Sequence, residues 1–87
     1  MWKVYIIQNH VSKDIYVDYT DNLERRLSEH NSTEHKNRFT YTLKGKWIVI
    51  YFECFRNKKD ATMRERKLKL HGRGFQELKK RLENSFL

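Results

Sequence analysis

Residues 15–27 read IYVDYTDNLERRL and change their hydrophobic period halfway along. In the first half, apolar and polar residues alternate as in a β-strand, which directs Tyr16 and Asp18 to the same face. In the second half the spacing is helical. There Asp21 stands at the N-cap and Glu24 follows three residues later, a capping-box pattern. The stretch therefore predicts a strand that is followed directly by a helix.

The predicted helix carries a distinct polar face. Asn22, Arg26 and His30 follow one another at a spacing of four residues, so they lie on one side of the helix. Leu23 and Leu27 form the apolar stripe that packs against the rest of the protein. The strand thus ends in tyrosines, and an arginine and a histidine follow within two turns of helix.

A second strand is predicted upstream, over residues 2–7, which read WKVYII. Alternation places Tyr5 and Ile7 on one face and the remaining apolar residues on the other, namely Trp2, Val4 and Ile6. Residues 9–14 are polar and turn-like, so the two strands are expected to pair as an antiparallel hairpin.

Residues 47–55, WIVIYFECF, form the strongest strand pattern in the chain. Because this segment is apolar on both faces for most of its length, it predicts a central strand that is covered on both sides. Cys54 is expected to pack within it.

Two further helices are expected towards the end of the chain. Asn57 is a favourable N-cap for a helix over residues 58–70, which Gly72 and Gly74 terminate. An amphipathic helix follows, and its apolar side consists of Phe75, Leu78, Leu82 and Phe86. The predicted order is β-β-α-β-α-α, an α+β fold in which helices flank a small three-stranded antiparallel sheet. Residues 1–87 are expected to form one domain.

Glu65 lies on the inward stripe of the helix over residues 58–70, in register with Ala61 and Leu68. A carboxylate that faces inward loses hydration, so it must be paired with a cation or bind one. A structural ion pair with a nearby arginine and a metal site both satisfy this requirement. The helical pattern alone leaves both interpretations open.

Nineteen Lys and Arg against eleven Asp and Glu give a net charge of +8, which is large for 87 residues. Nucleic acid is the commonest partner of a small basic domain, although the charge is equally compatible with a merely basic surface. A single cysteine excludes an intramolecular disulfide and fits a reducing compartment. The longest apolar run is too short to cross a bilayer, and no signal-peptide layout is present, so a cytoplasmic location is expected.

Residues 38–46 combine basic and aromatic side chains and predict a loop or a short helical turn. Arg38, Lys44 and Lys46 suit contacts with a nucleic-acid backbone whose bases lie near the aromatic rings. A plain surface loop pinned by Phe39 is the alternative.

Most familiar catalytic motifs are missing from the sequence. It contains no glycine-rich phosphate loop, no Cys and His pairs with zinc spacing, and no serine nucleophile elbow. The four histidines are not spaced as a metal cluster. Tyrosines, one arginine, one histidine and one glutamate remain as candidates for chemistry.

Two short tyrosine elements, KVY at residues 3–5 and YVD at residues 16–18, are separated by the length of a hairpin. The arginine helix and the glutamate helix follow, in residues 19–31 and 61–69. This combination resembles the GIY-YIG nuclease superfamily, with KVY in place of GIY and YVD in place of YIG. Within the superfamily it is similar to small stand-alone bacterial members related to the N-terminal nuclease domain of the excision-repair subunit UvrC. The resemblance covers nearly the whole chain.

The resemblance implies a role for each candidate. Tyr5 and Tyr16 correspond to the two motif tyrosines, one of which helps to take a proton from the attacking water. Arg26 corresponds to the arginine that binds the scissile phosphate, and His30 lies near the leaving side. Glu65 corresponds to the sole protein ligand of a divalent metal, Mg²⁺ or Mn²⁺. A metal held in this way keeps most of its coordination sites for water and phosphate oxygens.

Two positions depart from the family pattern. Lys3 replaces the first glycine, and Asp18 replaces the glycine of YIG. Alternation aims Asp18 at the site, where its carboxylate would repel a phosphate or supply a second metal ligand. We hypothesise that Asp18 weakens or abolishes cleavage. Tyr19 occupies a position that is lysine in the repair nucleases and often tyrosine in the small branch, so it is an auxiliary candidate.

The leading functional interpretation is a metal-dependent DNA endonuclease, a phosphodiester hydrolase, that acts in repair or recombination. The alternatives are a nucleic-acid-binding module of the same fold that does not cut, and a basic domain for protein contacts. The basic side chains expected to contact nucleic acid are Arg25, Arg38, Lys44, Lys46 and Arg64. A partner protein is expected to supply substrate targeting. The site residues also have structural interpretations, namely sheet packing for the tyrosines and an ion pair of Arg26 with Glu29 or Glu65.

Overall fold

The computed structural model describes residues 1–31, 46–69 and 72–87. In chain order the elements are β1 (Trp2–Asn9), β2 (Ile15–Thr20), α1 (Leu23–Asn31), β3 (Trp47–Phe55), α2 (Lys58–Lys69) and α3 (Arg73–Arg81). The predicted order β-β-α-β-α-α and the three-stranded antiparallel sheet are confirmed. Four residues named in the predictions, Arg38, Phe39, Lys44 and Leu70, lie outside the described ranges, as does most of the loop predicted over residues 38–46.

The strands β1 and β2 form the predicted antiparallel hairpin, and one side chain organises the turn between them. Oδ1 of Asn9 accepts the backbone N–H groups of Val11 and Ser12 at 2.9 and 3.0 Å. Asparagine is favoured in turns because its side chain can bond the backbone two residues on in this way. The turn fixes a register in which Tyr5 lies opposite Asp18.

The strand order is β2-β1-β3, so β1 occupies the centre of the sheet. The prediction that residues 47–55 form a covered central strand is therefore wrong. Instead β3 lies at an edge, and only its first residue, Trp47, is fully buried. Its apolar run serves the two faces in turn, since Trp47 and Val49 pack on one side while Ile50 and Tyr51 pack on the other. An irregularity in the pairing with β1 shifts the alternation at this point.

Helices cover both faces of the sheet. One face packs against α2 and α3 through a cluster of buried residues, Val4, Ile6, Val17, Ala61, Leu68, Phe75 and Leu78. On the other face, buried Tyr5, Ile7 and Trp47 pack against Leu23 and Leu27 of α1. The face that carries Tyr5 is called the site face below. The alternation predicted for β1 is confirmed. The four apolar residues predicted for the last helix all pack in the cluster of the opposite face, but the helix ends at Arg81, before Leu82 and Phe86.

Side-chain caps start the first two helices. Asn22 caps α1, because its Oδ1 accepts the backbone N–H of Arg25 at 3.1 Å. The predicted cap, Asp21, is one residue too early, since the N-cap directly precedes the first helical residue and α1 begins at Leu23. Asn57 caps α2 as predicted, because its Oδ1 accepts the backbone N–H of Lys59 at 2.8 Å.

Two residues near the ends of β3 and α2 lie in different surroundings from those predicted. Gly74 is within the first turn of α3, so only Gly72, the N-cap of α3, remains between the two helices as a terminator. Cys54 is exposed and does not pack in a core, because it lies on an edge strand.

Candidate active site

Three aromatic rings meet where α1 packs on the site face. The hydroxyl of Tyr5 and Nε2 of His30 are 2.8 Å apart. The His30 ring makes edge contacts with the rings of Tyr5 and Tyr16, at centroid distances of 6.0 and 5.0 Å. Tyr5 and His30 are buried, whereas Tyr16 is only partly so. Of the two motif tyrosines, Tyr16 is therefore the one that solvent can reach.

Burial sets the protonation states of Tyr5 and His30. Loss of solvation, aided by the negative charge of Asp18, raises the pKa of Tyr5 above its usual value, despite the opposing effect of Arg26. Loss of solvation, aided by the Arg26 guanidinium, lowers the pKa of His30 from 6.5 to about 4. Both groups are uncharged at neutral pH, and the Tyr5 hydroxyl and Nε2 of His30 share one hydrogen bond between neutral partners.

Arg26 is held between two carboxylates. Its Nη2 lies 3.1 Å from Oδ2 of Asp18, and its Nη1 lies 3.1 Å from Oε2 of Glu29. The Tyr16 hydroxyl donates to the same oxygen of Asp18 at 3.3 Å. The backbone N–H of Tyr19 donates to the other oxygen at 2.8 Å. A phosphate that binds Arg26 must therefore compete with these two carboxylates for the guanidinium and approach their negative charge.

Glu65 lies on the buried side of α2 and its side chain is 14% exposed. Its Oε2 is 3.5 Å from Nζ of Lys69, so the ion pair expected for this carboxylate exists, but with a lysine one turn later and not with an arginine. Nζ of Lys69 also lies 5.6 Å from the centre of the Tyr16 ring. Lys69 thus links Glu65 to the tyrosine cluster at the β2 edge of the sheet.

At this position a divalent metal would have one carboxylate ligand, that of Glu65. Within residues 1–31, 46–69 and 72–87, no group of three or more His, Cys, Asp or Glu side chains is placed to hold a metal ion. Mg²⁺ is commonly bound by one or two carboxylates together with waters and substrate phosphates. The oxygen donors of Glu65 fit a metal that is bound mainly together with substrate, and Lys69 competes for the same carboxylate.

Three of the other predicted residues lie outside the cluster. Tyr19 is on the opposite face of the sheet, where its ring centre lies 6.1 Å from that of Trp2. Arg25 is on the exposed side of α1, with a side chain 60% exposed. Lys46 is exposed directly before β3. Arg25 and Lys46 are thus available to an external ligand, whereas Tyr19 reaches the site only through its backbone.

Arg64 is not brought to the site. Its guanidinium engages Glu53, with Nη2 2.9 Å from Oε2. The Tyr51 hydroxyl donates to the same oxygen at 2.8 Å, and Tyr51 belongs to the core of the opposite face. This ion pair ties α2 to the edge strand.

Sequence reasoning did not identify Lys69 as a neighbour of the site. Its position four residues after Glu65 on one helix is the signal that can find the ion pair. The contact with Tyr16 needs the packing of α2 across the sheet, which helix spacing does not reveal.

Among the described residues, no helix has the length and apolar character needed to cross a membrane.

Comparison with known proteins identifies a family to which the chain is similar over most of its length. Residues 1–83 match the GIY-YIG catalytic domain. The chain is 35% identical over 68 residues to a UPF0213 protein of Desulfotalea psychrophila, covering 78% of this chain and 60% of that protein. It is 36% identical over 72 residues to a UPF0213 protein of Haloquadratum walsbyi, covering 80% and 75% of the two chains. No solved structure matches.

An uncharacterized protein of Acanthamoeba polyphaga mimivirus is 34% identical over 59 residues, covering 66% of this chain and 36% of that protein. The chain thus matches only about a third of the mimivirus protein and three-fifths of the Desulfotalea protein. The family match is broader than any of these, because it includes both tyrosine elements, α1 and the whole of α2. On this match, the chain belongs to the GIY-YIG catalytic domain family.

Proposed function

We propose that this protein is a metal-dependent endonuclease that hydrolyses phosphodiester bonds of DNA. The observation that carries the proposal is the meeting of Arg26 with both motif tyrosines and His30 on one face of a family-matched sheet. A planar guanidinium matches the geometry of a phosphate and is always charged. Arg26 would bind the scissile phosphate and stabilise the negative charge that develops on it.

The residues around Arg26 would orient the reacting groups. His30 fixes the Tyr5 hydroxyl, and the Tyr16 hydroxyl is the one that an attacking water can approach. The raised pKa of Tyr5 makes it a poor proton acceptor in the free protein. A metal held by Glu65 would supply Lewis-acid stabilisation and a lowered pKa of bound water. In this proposal the metal would make the water more acidic, and the tyrosines would orient it.

One observation favours a second candidate function, a nucleic-acid-binding module that cuts weakly or not at all. Asp18 occupies the guanidinium that the phosphate needs, at 3.1 Å, and Glu29 occupies its other nitrogen. A phosphate of the substrate must compete with these two carboxylates for Arg26, and their negative charge repels it. The hypothesis that Asp18 weakens cleavage thus gains a physical reason, competition for Arg26.

The biological setting belongs to the same proposal. The role that we propose, in DNA repair or recombination, rests on the resemblance of residues 19–31 and 61–69 to small stand-alone members of the superfamily. The chain covers only part of its first two relatives, so the activity of those whole proteins is not carried over. A partner protein that supplies substrate targeting remains part of the proposal.

The test is a nicking assay on plasmid, flap and branched DNA with Mg²⁺, Mn²⁺ or a chelator. We expect metal-dependent nicking by the wild type and its loss in Glu65→Gln. Glu77→Gln is the matched control, because Glu77 forms a comparable pair with Arg73 one turn away on α3 but is 65% exposed. Nicking that survives in Glu65→Gln, or that persists with the chelator, would contradict the proposed metal site. DNA binding without any nicking would favour the binding module.

A further inference from the structure

Phe52 is a large apolar side chain left half exposed, at 49%, on the site face of the edge strand β3. It pairs across the sheet with Tyr5, and Tyr5 pairs in turn with Asp18 on β2. Residues that lie directly opposite one another in a sheet point to the same face. Asp18, Tyr5 and Phe52 therefore form one row across the site face. Phe52 is the most solvent-exposed of the three, because Tyr5 is buried and the Asp18 side chain is only 18% exposed.

The ammonium group of Lys3 lies over one face of this ring, which leaves the other face for a base to stack on. Lys3 is on β1, two residues before Tyr5 and hence on the same face, and its Nζ is 5.4 Å from the centre of the Phe52 ring. Its partner on β3 is Cys54, which is also exposed. We call Lys3 and Phe52 together the Lys3–Phe52 patch. The patch combines a positive charge with an aromatic ring beside the candidate active site.

The ring and the charge match the two parts of a nucleotide. Aromatic side chains stack on bases whatever their sequence, and each stacked base contributes about 1–3 kcal/mol by alanine substitution. A lysine next to the ring can contact the backbone phosphate. Phe52 is two strands away from Asp18, about 10 Å at ordinary strand spacing. This separation suits a nucleotide that neighbours the one whose phosphate binds Arg26.

We propose that the Lys3–Phe52 patch stacks an unpaired base next to the scissile phosphate, so that single-stranded or locally unpaired nucleic acid is the preferred substrate. A base within a continuous duplex is already stacked on both sides and is released only at a cost of a few kcal/mol. An unpaired base avoids that cost. The inference rests on the proposed function for the position of the phosphate.

Charge favours nucleic acid over a second copy of the chain as the occupant. The edge strand β3 also presents backbone groups that can pair with another strand. Self-association would bring together two chains of +8 and two Lys3 ammonium groups. A polyanion meets the same charges favourably.

The test compares binding of a single-stranded oligonucleotide with a duplex of equal length and with inorganic polyphosphate, by fluorescence anisotropy and competition. We expect Phe52→Leu to bind the single strand at least about fivefold more weakly, with duplex and polyphosphate binding changed less than twofold. Phe52→Trp keeps a stacking surface and should bind the single strand as tightly as the wild type. Met63→Leu is the matched control, since Met63 is also 49% exposed but lies on α2.

Several outcomes would overturn the inference. These are equal weakening for all three ligands in folded Phe52→Leu, weaker single-strand binding by folded Phe52→Trp, and no preference of the wild type for the single strand. Sedimentation that shows a dimer lost in Phe52→Leu would assign the patch to self-association. Measuring single-strand binding and nicking separately distinguishes this inference from the proposed function. Phe52-dependent single-strand binding without nicking refutes only the nuclease, and nicking without it refutes only the patch.

Discussion

At the scale of single residues, the site is defined by what surrounds Arg26. The guanidinium that would bind a phosphate already has two carboxylate partners, and one of them is Asp18, which on the resemblance predicted from the sequence replaces the glycine of YIG. Alternation along the strand predicts that Asp18 faces the site. It does not predict the partner, because Asp18 and Arg26 lie on different elements and meet only through the turn between β2 and α1. The pair of Arg26 with Glu29, three residues apart on one helix, was predicted from the sequence and is confirmed, whereas the pair of Arg26 with Asp18 was not predicted.

Removing the charge of Asp18 is expected to free Arg26. Asp18→Asn keeps the size of the side chain but leaves Arg26 paired only with Glu29, so nicking with Mg²⁺ or Mn²⁺ should rise roughly fivefold, the equivalent of about 1 kcal/mol for one ion pair. Asp18→Gly restores the family residue and should raise the rate as well. The rates of plasmid nicking measure both effects.

Asp21→Asn controls for the change in net charge, because the Asp21 side chain is 59% exposed and pairs with Arg25 only at 3.5 Å. Its nicking rate should stay within twofold of the wild type. An unchanged rate in both Asp18 variants would show that competition for Arg26 does not limit cleavage.

The buried imidazole of His30 makes stability depend on pH. Its pKa is about 4 in the folded protein and 6.5 in the unfolded chain, so the unfolded chain binds more protons between these values. The stabilisation is complete above pH 6.5 and is lost as the pH falls towards 4. The loss amounts to at most about 3 kcal/mol. Urea unfolding of the wild type at pH 7, 5.5 and 4 should show this decline.

His30→Gln keeps an acceptor for the Tyr5 hydroxyl but does not titrate, so its decline over the same range should be smaller. His10→Gln is the control, because His10 is exposed. It should decline as the wild type does. Parallel curves for the wild type and His30→Gln would show that the imidazole is not the source of the pH dependence.

At the scale of elements, the sequence predicts types and faces better than order. Alternation assigns Tyr5 and Ile7 to one face of β1 and Val4 and Ile6 to the other, because a strand must bury its apolar sides. Hydrophobicity does not say which strand is central. β3 is apolar because its residues pack on both faces of the sheet, and β1 is central because it pairs with both neighbours. Strand order depends on pairing between distant segments, which local pattern does not record.

At the scale of the whole molecule, the strong positive charge of the chain is not concentrated at the candidate site. The chain carries +8, but the candidate site mixes Arg26 with Asp18 and Glu29, and Glu65 with Lys69. Most of the attraction for a polyanion must therefore come from basic side chains outside the cluster. Different residues thus position the scissile phosphate and attract the polyanion, so the substitution of one lysine or arginine can change one of these effects without the other.

This separation is testable through the dependence of binding on salt. The logarithm of the binding constant should fall linearly with the logarithm of salt concentration, with a slope of about −0.7 for each phosphate contacted on a single strand. Arg25 is exposed on α1, which packs on the site face, and Lys80 is exposed on α3, which packs on the opposite face. We expect Arg25→Gln to reduce the slope by about one contact and Lys80→Gln to leave it unchanged, although both remove one positive charge. Equal reductions in the two variants would mean that nucleic acid binds the basic surface as a whole and that the site face has no preference.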